Sequence, residues 1–177
     1  MIIDTNTLDI LKTYVICEVG SSKISNIIQN ISCKLYPQIS PQDAASHVLA
    51  LRYKNNNWTV WECHLKWGGI KEYLLSDYKA DKDTKELFLY EYCLDNASMD
   101  YWLANNPTYS VTNLFEIAEE RLIGLKLPNT HGWVCSESVA ACNFDICLKL
   151  NKLFSEIIPL DFQVFLKDKI VQHILFN

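Results

Sequence analysis

The sequence predicts an α+β domain, in which a run of antiparallel strands is followed by helices. Three observations carry this. Short runs rich in β-branched and aromatic residues occupy the first half of the chain, two of them separated by an Asn-rich turn, and apolar residues at helical spacing dominate the second half.

Thr13 to Val19 is dense enough in Val, Ile, Tyr and Thr for a strand, and Gly20-Ser21-Ser22 closes it. Ile24, Ile27, Ile28 and Ile31 then recur at helical spacing, and Pro37 and Pro41 bracket a loop that ends this helix. Ser46 to Tyr53 and Trp58 to Leu65 form a β-hairpin about Lys54-Asn55-Asn56-Asn57, since Asn tolerates the positive φ that tight hairpin turns demand. Gly68-Gly69 ends the hairpin, Leu74 to Tyr78 is a turn or short helix, and Glu86 to Cys93 reads as a third strand. Asp95 to Ala104 and Val111 to Leu125 are helices, the second amphipathic through Leu114, Ile117, Ala118, Arg121 and Leu122. A breaker at Pro128 to Gly132 precedes a long helix from Ser136 to Phe154, with Val139, Cys142, Ile146, Leu150 and Leu153 inward. Pro159 stops that helix, and Phe162 to Phe176 is a final helix or strand.

At 177 residues, with 49% hydrophobic and 21% charged, the chain reads as a single globular domain, 1–177; no repeat or linker divides it. Sixteen Lys and Arg against 21 Asp and Glu give a net charge of −5, a field that repels phosphates and argues against nucleic acid as partner. The start lacks a signal peptide's basic and apolar segments, and no stretch approaches the ~18 apolar residues needed to span a bilayer. Seven Cys without regular spacing fit reduced thiols better than a disulfide framework. The expectation is a soluble, cytoplasmic protein of unspecified oligomeric state.

Chemistry concentrates at two places. Cys135 opens the long helix, where unpaired backbone N–H groups and the helix dipole favour a thiolate and offer an oxyanion site. Read on position alone, a small buried side chain like its six companions is the commoner case. His47 lies inside the first hairpin strand, where an imidazole needs a partner or a task. A two-residue turn at Asn55-Asn56, or a four-residue loop, pairs Tyr53 with Trp58. That register sets His47 across from His64 and diagonal to Glu62, on one face of the sheet, whereas a three-residue loop separates them.

These residues resemble a known family. Ala45-Ser46-His47-Val48, then Val60-Trp61-Glu62 with Gly68-Gly69 following, then Trp133-Val134-Cys135-Ser136-Glu137, is similar to the permuted papain-like cysteine hydrolases of the NlpC type. In that group the chain order is His, acidic or polar residue, Cys, the reverse of the unpermuted enzymes. The resemblance spans roughly residues 13 to 165. It departs where the family often opens with Gly-Asp before the first strand and this chain has Leu11-Lys12. It implies a small antiparallel sheet packed against helices, with Cys135 as nucleophile, His47 as general base and Glu62 as the residue that orients the imidazole. It implies a peptide or other amide substrate and no cofactor.

Four other readings compete. His64 rivals Glu62 as the orienting residue, although a carboxylate better stabilises an imidazolium. His131, four residues before Cys135, is an alternative base. Ser136 and Glu137 suit the first turn of a helix and read as structural. A metal site built from Glu62, Cys63 and His64 fails on strand alternation, which points Cys63 to the opposite face. The function expected is amide hydrolysis through a thioester. The alternatives are an acyltransferase using the same thioester, or a phage or virion structural or binding protein that keeps the fold without turnover.

Overall fold

A computed structural model describes residues 3–110, 112–113, 116–117 and 132–176 of the chain. The architecture is α+β, built on a six-stranded antiparallel sheet of order β4-β3-β2-β1-β5-β6. β1 (Thr13–Gly20) lies between β2 (His47–Lys54) and β5 (Thr84–Glu91), which pair both its edges, and apolar residues pack on both its faces, so all eight of its residues are buried. That explains an apolar run without alternation. β3 (Asn57–His64) and β4 (Gly69–Leu74) extend the sheet on one side, and β6 (Ile170–Leu175) on the other.

The helices are α1 (Lys23–Leu35), α2 (Asn96–Asn105), α3 (Cys135–Ala140), α4 (Asp145–Leu150) and α5 (Pro159–Phe165). Val15, Cys17, Val48, Ala50, Trp61 and Cys63 face α3 to α5, packing with Cys135, Val139, Ile146 and Phe162. Tyr14, Ile16, Leu49, Leu51, Val60 and Leu87 face the other way, covered by Ile3, Leu8, Leu75 and Tyr78. Arg52, only 1% exposed, ties β2 to β4 and α2: its guanidinium takes both Glu72 oxygens, at 2.6 and 2.9 Å, and Asp100 at 2.6 Å.

The hairpin, the first strand, α1 and α2 occur where the sequence suggests, but several elements differ. The long helix from Ser136 to Phe154 is two short helices, because Asn143 breaks it. The Asn143 side chain accepts the Asp145 N–H at 2.7 Å and donates to the Cys93 carbonyl, competing with the helical ladder. Leu153, expected inside, is 59% exposed beyond the end of α4. Pro159 begins α5 instead of stopping a helix, since an N–H missing at the first helical position costs nothing. The segment from Phe162 to Phe176 is both helix and strand, α5 and then β6. β4 was not expected, because Gly68-Gly69 reads as an end. Gly68, at φ +69°, is in fact the turn that returns the chain into the sheet. On α1 the packed face is Ile28, Gln29, Ser32 and Cys33, leaving Ile24 and Ile27 47% and 42% exposed. Of the expected helix from Val111 to Leu125, Thr112, Asn113, Glu116 and Ile117 are helical and the rest lies outside the described residues, as do Pro128 to His131. No helix among the described residues is long and apolar enough to cross a membrane.

Candidate active site

The hairpin turn sets the geometry. Asn55 and Asn56 both have positive φ, 51° and 61°, as a two-residue turn of the I′ kind requires, and the ladder pairs Lys54 with Asn57 and Tyr53 with Trp58. The same register carried to the far end of the strands brings His47 against His64, ring centroids 5.1 Å apart and nearly perpendicular. It also brings His47 Nε2 to 2.9 Å from Glu62 Oε1. Glu62 is itself held: Tyr73 Oη donates to its second oxygen at 2.7 Å and Trp67 Nε1 at 3.3 Å.

Cys135 arrives from the other side of the sheet. Gly132 sits at φ +80°, and a Cβ there would lie 2.4 Å from the Thr108 carbonyl oxygen, so the close approach of the two chains needs glycine. Trp133 donates its N–H to Thr108 O at 2.7 Å and accepts from Ser110 N at 2.9 Å, forming a parallel bridge with Tyr109. One residue on, the fully buried Glu137 accepts the Val134 N–H at 2.8 Å and the Asn113 side-chain amide at 2.9 Å. Ser136 donates to the Ile157 carbonyl at 2.5 Å. Both residues thus fasten the turn that presents Cys135, as a structural reading of them requires.

By strand alternation His47 belongs with Leu49 and Leu51, on the face away from α3. It lies near Cys135 because it is the first residue of β2, at the end of the sheet, where its ring can reach round, close enough for the two groups to interact electrostatically. Nε2 being engaged by Glu62, Nδ1 is the nitrogen left for the sulfur. Cys135 is 2% exposed and the His47 side chain 13%.

The electrostatics follow from this arrangement. Burial alone would lower the His47 pKa, but its contact with Cys135 and then the Glu62 hydrogen bond outweigh burial and hold it well above 6.5. Burial would raise Glu62, but the hydrogen bond and charge of His47, aided by Tyr73, pull it down to about 2. His64 is lowered, first by burial and then by the neighbouring His47. Its Nδ1 accepts the Lys66 N–H at 2.9 Å, so the neutral ring carries its proton on Nε2.

Donor atoms of His47, Glu62 and His64 lie within 4.8 Å of one another, the spread of a three-ligand metal face. Strand alternation brings these three together and excludes Cys63, as the sequence suggests. In the tautomer that Lys66 imposes, however, His64 has no free lone pair, and His47 Nε2 is already engaged by Glu62.

Several residues of the site went unnoticed in the sequence. Tyr109 lines a cavity of about 210 Å³ together with His47 and His64. Burial and the nearby Cys135 hold the Tyr109 phenol protonated, so it remains a donor. Glu18, opposite His47 on β1, lines the same cavity and accepts the Tyr78 hydroxyl. Only Glu18 had a signal, a carboxylate inside an otherwise apolar strand; Tyr109 had none. A larger cavity, about 640 Å³, opens among Thr13, Tyr92, Asp95 and Asn143 and contains none of the His47 group. His131 lies outside the described residues. Compared with known proteins, the chain matches no family model and no curated protein.

Proposed function

We propose that the protein is a cysteine hydrolase of permuted papain-like design that cleaves an amide bond through a thioester on Cys135. The observation that carries this reading is one imidazole set between a carboxylate and a thiol: His47 Nε2 is 2.9 Å from Glu62 Oε1, and Cys135 is close enough to His47 to push its pKa up. In the first step His47 holds the Cys135 proton while the sulfur attacks the carbonyl carbon, forming a C–S bond. The Cys135 backbone N–H and the Tyr109 hydroxyl are the donors available to the oxyanion. As the C–N bond breaks, the imidazolium returns the proton to the departing amine. Water then attacks the thioester, His47 takes its proton, and the acid leaves as the thiol re-forms. Glu62 keeps Nε2 protonated and stabilises the imidazolium throughout.

The test is to trap the acyl-enzyme. Incubation with a panel of peptide and aminoacyl amides, quenched in acid, should give an acyl mass on the peptide containing Cys135, with free acid accumulating, and Cys135→Ala should give neither while remaining folded. Product that appears only with an added alcohol or amine acceptor would replace hydrolysis by acyl transfer. Undiminished turnover in Cys135→Ala would refute the assignment.

A further inference from the structure

Part of the apolar surface that folding leaves uncovered borders the cavity beside His47, and its use as a substrate wall rests on the hydrolase reading above. α1 carries an isoleucine stripe, Ile24, Ile27, Ile28 and Ile31, whose spacing marks a packing face, yet the helix packs through Ile28, Gln29, Ser32 and Cys33. Gln29 sets this rotation, because its buried amide donates to the Gly20 and Ala44 carbonyls at 2.9 and 3.0 Å. Ile24 is left 47% exposed, and it lines the cavity of about 210 Å³ together with Ile28 and His47. Leu65, 51% exposed in the turn after β3, lines the same cavity. Ile28 also belongs to the apolar cluster of Val134, the residue before Cys135, so α1 is braced against the turn that presents the sulfur.

Most of the polar lining is already engaged within the protein. Ser46 Oγ accepts the Gly20 N–H at 3.1 Å, and the Ser22 and Ser25 hydroxyls bond each other at 2.9 Å. Glu18 accepts the Tyr78 hydroxyl, His47 is held by Glu62, and His64 by the Lys66 N–H. Asp81 and Asp83 come from the segment before β5, Asp81 exposed and Asp83 half-buried. Ile24 and Leu65 differ from all of these, since apolar surface gains nothing from water and gains by being covered. One from α1 and one from the turn after β3, they border a cavity that also contains the reacting histidine, which is where a substrate side chain has to lie.

We propose that Ile24 and Leu65, backed by Ile28, hold an aliphatic side chain of the substrate next to the scissile carbonyl. The substrate class is then an amide whose acyl half carries a side chain of about the size of leucine's. Short or charged acyl groups gain nothing from these walls.

Three methanethiosulfonates test this without knowledge of the natural substrate: methyl, n-butyl and 3-hydroxypropyl, the last two of similar length. In each, Cys135 gives its proton to His47 and its sulfur attacks the sulfenyl sulfur. A new disulfide forms as the reagent's S–S bond breaks, and methanesulfinate leaves with the electron pair. Rates at Cys135, read by mass spectrometry and normalised to a free small thiol, should favour n-butyl over the other two by about tenfold, as partial burial of its methylenes implies, while the exposed Cys93 shows no preference. Ile24→Ser and Leu65→Ser, at exposed positions that the fold tolerates, should each cut the preference to about threefold or less. Leu148→Ser, also exposed but on α4 and outside the cavity, should leave it unchanged. Equal normalised rates for the three reagents, or a preference that survives in both cavity variants, would overturn the apolar site. If Cys135 still reacts fast with the methyl reagent and depends on His47, the hydrolase reading survives that result. If Cys135 reacts sluggishly with all three, whether or not His47 is present, both fall.

Discussion

At the scale of single residues, the site turns on which nitrogen of His47 does what. Glu62 accepts from Nε2 and so fixes the tautomer that leaves a lone pair on the sulfur side. Glu62→Gln keeps the size but can present its amide N–H to Nε2, favouring the wrong tautomer. Turnover, or alkylation of Cys135 if no substrate is in hand, should fall about 10²-fold or more while the melting temperature changes little. Unchanged kinetics in that variant would assign the orienting role to His64. His47 and Glu62 were legible because period-two alternation and a two-residue turn are arithmetic on the sequence alone. Tyr109 was not: it reaches the cavity through a parallel bridge between segments 24 residues apart, which no local pattern encodes.

At the scale of elements, the strands and the turn that carry His47 and Glu62 obey local rules, whereas the segment that carries Cys135 depends on tertiary contacts. Helical periodicity runs on from Val139 to Ile146 without a flaw, yet the helix ends after Ala140, because Asn143 finds acceptors and donors in the backbone around it. β4 was hidden for the opposite reason: glycine marks both a terminus and a reversal, and only strand pairing distinguishes them. Gly132 shows how closely function follows from this packing. Gly132→Ala puts a methyl against the Thr108 carbonyl at a positive φ, so it should destabilise by about 1 kcal/mol or more and slow Cys135 alkylation by shifting the turn. A variant with native stability and native Cys135 reactivity would show that the bridge between Tyr109 and Trp133 does not position the sulfur.

At the scale of the whole molecule, pH reports on the ion pair at the end of the sheet. His47, raised in the fold, stabilises it fully below its unfolded value near 6.5, and that contribution is lost as pH rises through the folded value. Glu62, lowered, contributes above its unfolded value near 4.5 and loses its contribution as pH falls toward 2. Both are therefore complete between about pH 4.5 and 6.5. In urea unfolding, the stability gap between the protein and His47→Gln should be widest in that window and narrow as pH rises above it; a gap independent of pH would mean that His47 is not charged in the fold. The acidic balance of the chain is visible in its composition. The concentration of Glu18, Asp81 and Asp83 at one cavity was not visible there, since residues 18 and 81 meet only once β1 and the segment before β5 are packed.

Whether Cys135 and His47 act as one unit is read from the pH dependence of iodoacetamide alkylation at each of the seven cysteines, resolved by mass spectrometry, in the protein and in His47→Ala. Cys135 should label fast well below pH 8, faster than the exposed Cys93, and loss of His47 should slow it at least tenfold at neutral pH. Labelling of Cys135 no faster than that of its buried companions, with no change in His47→Ala, would contradict it.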